Sequence, residues 1–244
     1  MPTPSRRTSR AARRRDGRRV RNGLDGDQLD IGRARLRMSR DPVILECGAN
    51  TGTDTLAFLQ RWPTSRVVCF EPEPRAIEAW RATVDSPRAA LVEVALAEVD
   101  GTATFHRSSG RPPVETPESD EPWNQSGSLR RPTGHLETWP WVEFTETITV
   151  ETRSLDSWAA ENDLGPIDLV WADVQGAEGD VVRGGLRTLA RARYLYIETS
   201  ETEYYEGQVT TAELLSMLPD WRVLAHFTFD VLLENRRWWR SGRR

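Results

Sequence analysis

Glu46, Asn50, Asp54 and Glu71 are acidic and amide residues whose spacing could build a small-molecule site. The pattern Glu46-x-Gly48-x-Asn50-x-Gly52 closes a short apolar run, Val43 to Cys47, and Asp54 opens a helical pattern with Leu56 and Leu59 on one face. This is a buried strand passing through a glycine turn into a helix, the opening of a nucleotide site in an open α/β sheet. Gly48 can take the positive φ that a side chain opposes, and Gly52 lets helix and ligand approach closely. Nineteen residues after Gly52, a second apolar run, Arg66 to Phe70, ends in Glu71. A carboxylate there can accept from the two hydroxyls of a ribose.

The glycine spacing separates two kinds of cofactor. A dinucleotide needs G-x-G-x-x-G, because its pyrophosphate rests on a bare helix N-terminus. Here Asn50 stands at the middle glycine and Asp54 adds negative charge. A ligand carrying an ammonium and a sulfonium, S-adenosylmethionine, matches that charge better. The same pattern is also compatible with a strand–turn–helix that binds nothing.

Two further carboxylates fall at the ends of apolar runs, Asp173 after Ile167–Ala172 and Glu198 after Tyr194–Ile197. Open α/β sheets place ligands at the carboxyl ends of their strands. Asp173 is expected to orient or deprotonate an acceptor hydroxyl, with Glu198 as its partner. A divalent metal shared by Asp173 and Glu198 is the less favoured role, and no metal site is expected. Of the three histidines, His106, His135 and His226, the candidate base is His135, in a long insertion. The histidine spacing and lack of cysteine partners argue against zinc. No G-x-S-x-G, no P-loop and no N-P-P-Y run is present.

The elements that must position these residues alternate after residue 42, which predicts βαβ units and a mostly parallel sheet. Strands are expected at Val43–Cys47, Arg66–Glu71, Ala90–Ala95, Ile167–Asp173 and Tyr194–Glu198. Helices are expected near Asp54–Gln60, from Pro74, at Glu178–Leu189 and at Thr211–Leu218. The runs Trp221–Phe229 and Val231–Glu234 read as an antiparallel hairpin at one edge. Residues 101–154 form an insertion between strands three and four. Its ends, Thr102–Phe105 and Thr147–Val150, alternate and should pair. Between them lie six of the fifteen prolines and Trp123, Trp139 and Trp141, which favour an ordered lid.

These pieces together resemble the FkbM family of S-adenosylmethionine-dependent methyltransferases, over residues 42–236. Glu46-Cys47-Gly48-Ala49-Asn50-Thr51-Gly52 is similar to the family's D-x-G-A-N-x-G, Phe70-Glu71-Pro72 to its F-E-P, and Ala95 through Gly101 to its A-L-G-D-x-x-G. Ser154-Leu155-Asp156 is similar to T-L-D, Asp168 through Glu178 to D-L-L-K-I-D-V-E-G-A-E, and Ile197-Glu198 to the I-E of strand five. Ser126 to Leu129, with Pro132 and His135, resembles the Ser-rich lid of a subgroup. Two positions depart: Trp171 replaces the usual Lys and Gln175 the usual Glu. The resemblance implies a class I methyltransferase fold, α/β and Rossmann-like, with a mostly parallel seven-stranded sheet and an antiparallel C-terminal hairpin. It implies O-methylation of a sugar or secondary metabolite, and adds Pro72 and Ala95 to the cofactor-binding residues Glu46, Gly48, Asn50, Gly52, Asp54 and Glu71.

Composition sets the remaining bounds. The 244 residues fit one domain, 24–244, behind a tail, 1–23. All 33 basic residues are Arg; residues 1–40 hold 13 of them against 4 Asp, so the tail is expected to be disordered. A noncatalytic cofactor- or RNA-binding module using this basic arm is the alternative reading. Nucleic acid is not the expected partner, because no aromatic residues interleave the arginines. The partner expected is a small-molecule or glycan acceptor. No run reaches the 18 apolar residues of a membrane span and no secretory signal is visible. Cys47 and Cys69 lie in core strands as buried thiols, so the expected compartment is the cytoplasm.

Overall fold

The computed structural model describes residues 36–113 and 123–238. The expected tail, 1–23, lies outside them.

The main sheet has seven strands. They are β1 (Val43–Cys47), β2 (Arg66–Phe70), β3 (Ala89–Val92), β7 (Ile167–Ala172), β8 (Ala192–Glu198), β9 (Trp221–His226) and β10 (Asp230–Asn235), in the order β3-β2-β1-β7-β8-β10-β9. The pairs β2–β3, β1–β2, β1–β7 and β7–β8 are parallel; β10 runs antiparallel to both β8 and β9. The terminal hairpin therefore sits at one edge, as its two adjacent apolar runs predict. Every residue of β7 is buried. That is why its sequence, IDLVWA, is nearly continuous in apolar residues: a central parallel strand is covered on both faces.

Helices cover the sheet on both sides. α1 (Thr53–Arg61) buries Thr55, Phe58 and Leu59. α2 (Pro74–Thr83) starts where Pro74 loses no needed N–H, and the Glu73 side chain accepts from the Ala76 N–H at 3.0 Å as its cap. One core layer joins Leu45, Phe70, Val170 and Ile197; the opposite layer joins Ile44, Phe58, Trp171 and Tyr196. The alternation of these residues along each strand follows from the two-residue side-chain period.

The insertion, with Ala95–Leu96 ahead of it, builds a second sheet of three strands, β4 (Ala95–Leu96), β5 (Gly101–Gly110) and β6 (Val142–Arg153), in the order β4-β6-β5. Thr102 pairs with Glu151 and Phe105 with Ile148, as the alternation at its ends predicts. A short helix, α3 (Gly134–Thr138), lies between β5 and β6, and α4 (Leu155–Glu161) leads into β7.

Outside the insertion, strand and helix ends shift by up to three residues from expectation, the hairpin's first strand stopping at His226 rather than Phe229, and two departures change the architecture. The third strand, expected over Ala90–Ala95, stops at Val92, and Ala95–Leu96 pairs with β6. The helix expected over Glu178–Leu189 is two helices, α5 (Glu178–Arg183) and α6 (Leu186–Leu189). Gly184 and Gly185 break it, and a Cβ on Gly184 would stand 2.2 Å from the Ala97 carbonyl oxygen. The bare Gly184 lets the backbone that follows Leu96 pass at that point. A further helix, α7 (Thr211–Ser216), is held by a reciprocal cap between Thr210 and Glu213.

Candidate active site

The strand order turns back between β1 and β7, and a cavity of about 230 Å³ opens at the carboxyl ends of these strands. Gly48, Asn50, Asp54, Glu71, Pro72 and Ala95 line it, and so does Asp173. Seven of the residues picked from sequence thus share one wall system. Phe105, Asn124, Gln125 and Leu129 of the insertion close its outer side.

The turn after β1 is held from below. The N–H groups of Gly48 and Ala49 both donate to the Phe70 carbonyl at 3.0 Å, and the Asn50 N–H donates to Glu71 Oε2 at 2.8 Å. The donors that a pyrophosphate would need are therefore already bound to the end of β2. Asn50 sits at φ 44, a conformation that Asn tolerates better than most residues. Its side-chain amide donates to the Asn124 carbonyl at 3.1 Å, tying the insertion to the turn.

Glu71 is nearly buried. Its other oxygen, Oε1, accepts from the Glu73 N–H at 2.9 Å, so both oxygens are anchored and each keeps a lone pair for a further donor. Burial, with the Glu73 and Asp173 charges behind it, pushes its pKa up to about 7 against the opposing backbone hydrogen bonds.

Four expected residues do not line the cavity: Glu198, which contacts the lining residue Gln175, and Glu46, Gly52 and His135, which sit elsewhere. Glu46 does not reach the cavity; it lies beneath the turn, where Thr55 Oγ1 donates to it at 2.5 Å and Cys69 Sγ at 3.2 Å. Trp80 Nε1 donates in turn to Thr55 Oγ1 at 3.0 Å. Burial, then the charge of Asp54, raises the Glu46 pKa to about 8, so this is a neutral acid that locks α1 and α2 to β1. Gly52 also faces away: a Cβ there would meet Val84 at 2.5 Å and Trp80 at 2.8 Å, so its bareness serves helix packing. His135 was expected to close over the acceptor as a base. It is instead buried in an aromatic cage, with ring centroids 4.7 Å from Trp139, 5.3 Å from Phe144 and 5.4 Å from Tyr205. Desolvation lowers its pKa to about 4, because that cage offers no partner to Nδ1.

The opposite wall carries groups that the sequence reading left without a role. Gln175 Nε2 donates to Asp173 Oδ1 at 2.6 Å and to Glu198 Oε2 at 3.0 Å. Gln175 Oε1 accepts from the Tyr205 hydroxyl at 3.1 Å, and that hydroxyl also lies 3.0 Å from the Ser126 carbonyl. Gln175 holds φ 53, fixed by Ser128 Oγ donating to its carbonyl at 2.6 Å. Glu178 Oε1 accepts from the N–H of Val174 at 3.0 Å and of Gly176 at 3.3 Å. Asp173, Glu178 and Glu198 each offer a carboxylate oxygen within 4.8 Å of the others, which is metal-ligand spacing. Burial raises Glu178 to about 7 and holds Glu198 well above the carboxylate range, with the Asp173 charge adding to both. Glu178 was visible as the last residue of the D-L-V-W-A-D-V-Q-G-A-E run. Tyr205 carries no sequence signal.

Trp171, where the resembled motif has a lysine, lines the cavity and stacks on Tyr196 at 4.0 Å with 9° between planes. No arginine, lysine or histidine lines this cavity among the described residues.

The family described as the methyltransferase FkbM domain matches residues 46–228. The chain is 43% identical over 202 residues to "2-O-methyltransferase NoeI" of Sinorhizobium fredii, covering 81% of each. It is 25% identical over 150 residues to "Methyltransferase 1" of Beauveria bassiana, covering 59% of this chain and 58% of that one. A solved structure titled as a putative rRNA methylase from Clostridium thermocellum aligns with 11% identity and a TM-score of 0.46, over 88% of this chain and 97% of that one. The extent of the family match and the likeness to NoeI place this chain in the FkbM family of methyltransferases.

Proposed function

We propose that the protein transfers a methyl group from S-adenosylmethionine to a hydroxyl oxygen of a sugar or secondary metabolite. The observation that carries this is the donor cavity itself: an anchored carboxylate, Glu71, on one wall, Asp173 on the other, and no cation among the described lining residues. The name of the relative NoeI supports oxygen as the nucleophile.

The residues fit the donor. Glu71 offers one lone pair per oxygen to a ribose diol. Asp54 and Asp173 place negative charge where an ammonium and a sulfonium need it. Val94, Ala95, Leu96 and Phe105 supply an apolar slot for a base. When bound, the donor would supply an electrophilic methyl carbon for an acceptor oxygen, with sulfur as the leaving group that keeps the C–S electron pair. Asp173 accepts the acceptor's proton and passes it to water. Gln175 holds the Asp173 carboxylate by its Oδ1, which leaves the other oxygen for the acceptor's proton. Glu198 acts through Gln175, as a positioning residue.

The test is calorimetric titration with S-adenosylhomocysteine and with NAD. Micromolar or tighter binding of the first and none of the second is expected. The reverse would overturn the donor assignment.

A further inference from the structure

Residues 124–129 of the insertion roof the donor cavity and also grip the turn that carries Asp173. Ser128 is held on β5 by two backbone hydrogen bonds with His106, at 2.7 and 3.1 Å. Around this bridge successive residues alternate in direction. Gly127 and Leu129 line the donor cavity, whereas Ser128 is fully buried and its hydroxyl donates to the Gln175 carbonyl at 2.6 Å. The same Oγ accepts from the Arg130 N–H at 2.9 Å, which sets the direction of the hydroxyl. Tyr205, from the segment after β8, makes a second link. Its single hydroxyl proton faces both the Ser126 carbonyl at 3.0 Å and Gln175 Oε1 at 3.1 Å, so the phenol bridges roof and amide.

Both ends of the roof are tied down. Asn50 Nδ2, in the donor turn, donates to the Asn124 carbonyl at 3.1 Å. Beyond Ser128, Arg130 donates to both carboxylate oxygens of Asp180 and to the Glu206 carbonyl. The segment carrying Tyr205 runs beside the insertion: the Glu206 N–H donates to the Arg131 carbonyl at 2.8 Å and the Thr133 N–H to the Tyr204 carbonyl at 2.9 Å.

We infer that Ser128 and Tyr205 are positioning residues for the proton acceptor: the roof over the donor also aligns Gln175, and through it Asp173, so that filling the donor cavity and setting the base are one coupled event. The inference rests on the transferase reading above and adds how its base is aligned. Gln175 needs an outside hold, because at φ 53 it occupies a backbone region that a side chain other than glycine keeps only where its surroundings enforce it. Two hydroxyls supply that hold, one on its carbonyl and one on its side-chain amide, and both come from segments outside the parallel strands. Gln175 in turn donates to Asp173 Oδ1 and Glu198 Oε2. A ligand packed under Gly127 and Leu129 makes opening of the roof costlier. The bonds of Ser128 and Tyr205 carry that cost to residues 204–206, none of which lines the donor cavity.

The experiment is amide hydrogen exchange on the full chain, with and without saturating S-adenosylhomocysteine. In the wild type the ligand should slow exchange of peptides spanning 203–208 by about fivefold or more. Ser128→Ala and Tyr205→Phe each delete one hydroxyl. In both, the S-adenosylhomocysteine Kd should stay within about threefold and slowing at 48–54 should persist, while slowing at 203–208 drops below about twofold. A hydroxyl that merely stabilised the fold would speed exchange equally with and without ligand and leave the ratio unchanged. With labelled S-adenosylmethionine and p-nitrophenyl hexosides, kcat should fall about tenfold in each variant and the hexoside KM stay within about threefold, the split expected of lost alignment. Slowing at 203–208 that survives in both variants, or that is missing in a wild type that binds S-adenosylhomocysteine, overturns the inference alone. A kcat unmoved in both variants does the same. A wild type that does not bind S-adenosylhomocysteine overturns the donor assignment with it.

Discussion

Gly48 and Asp173 touch through their backbones: a Cβ on Gly48 would stand 1.9 Å from the Asp173 carbonyl oxygen. The donor turn and the proposed base are thus fixed to each other by adjacent strands β1 and β7, without any side chain between them. Gly48→Ala should break this contact. The residue sits at φ +87, which costs about 1–2 kcal/mol for an L side chain, and the overlap must move backbone. The melting temperature is expected to fall by roughly 5–15 °C for a chain of this size. Gly165→Ala is the control: it shares positive φ, +65, but meets nothing within 4 Å, and should cost only about 2–4 °C. Equal losses from the two would mean that strain alone, and not the contact with Asp173, makes Gly48 necessary.

Glu71 should make donor affinity depend on pH. With its pKa near 7, it is mostly protonated at pH 6 and mostly ionised at pH 8. Only the ionised form accepts from both ribose hydroxyls while keeping its two backbone bonds. The affinity for S-adenosylhomocysteine is expected to rise about tenfold between those values, following the ionised fraction. Glu71→Gln should weaken binding about tenfold to a hundredfold at pH 8, the loss typical of charged hydrogen bonds, and flatten the profile. Calorimetry at three pH values reads both effects. A sloping profile in the variant would assign the titration to another group.

Asp173→Asn tests the base. Positioned proton acceptors contribute about 10²–10⁴ in rate. Turnover is expected to fall by at least a hundredfold while the Kd of S-adenosylhomocysteine, whose sulfur is uncharged and whose ammonium keeps Asp54, stays within about threefold. A matching fall in both would make Asp173 a binding residue.

Stability should fall as pH rises from about 5 to 9. Glu46 titrates near 8 in the folded protein, Glu71 and Glu178 near 7, against 4.5 when exposed. The folded state therefore holds more protons than the unfolded one between 4.5 and 8. The stability that these acids contribute is complete below 4.5 and is lost as pH passes 7 and then 8. Glu46→Gln keeps an uncharged acceptor for Thr55 Oγ1 and should reduce the loss above pH 7 in particular. Denaturant melts at pH 5, 7 and 9 measure it; an unchanged slope in Glu46→Gln would show that Glu46 is ionised in the native protein.

The fold was legible because periodicity and strand ends are local signals. The all-buried β7 reads as an apolar run, and Glu71 is found by counting from Gly52. The site was legible where backbone geometry is encoded by residue type, as at Gly48 and Asn50. It was illegible where a residue's partner comes from far along the chain. Glu46 has the type and position of a ligand-binding acid, yet Thr55 and Cys69 claim it from below. Gly52 looked like a ligand glycine, while Trp80 and Val84 explain it. His135 lies on a segment that reads as a polar loop, and Tyr205, 70 residues away in sequence, helps to bury it. No spacing rule reports such long-range contacts.

Gln175 stands where the family's motif carries a glutamate, and its amide bridges the carboxylates Asp173 and Glu198. The orientation of the amide is fixed by its neighbours: two carboxylates need the N–H donors, and the Tyr205 hydroxyl donates to the oxygen. The amide thus does for Asp173 and Glu198 what a cation would do, so exhaustive chelation should leave the wild-type rate within about twofold. Gln175→Glu removes both donated hydrogen bonds and adds a fourth carboxylate to groups already within 4.8 Å. Losing two hydrogen bonds to charged groups, one exposed and one part-buried, costs about 1–3 kcal/mol together, so the melting temperature at pH 8 should fall by roughly 3–10 °C. Four carboxylates in this space are a hard-oxygen site, and millimolar Ca²⁺ or Mg²⁺ should restore much of the loss in the variant while leaving the wild type unmoved. A wild-type protein that melts higher with these ions, or stops turning over after chelation, would show that Gln175 supports a metal rather than replacing one.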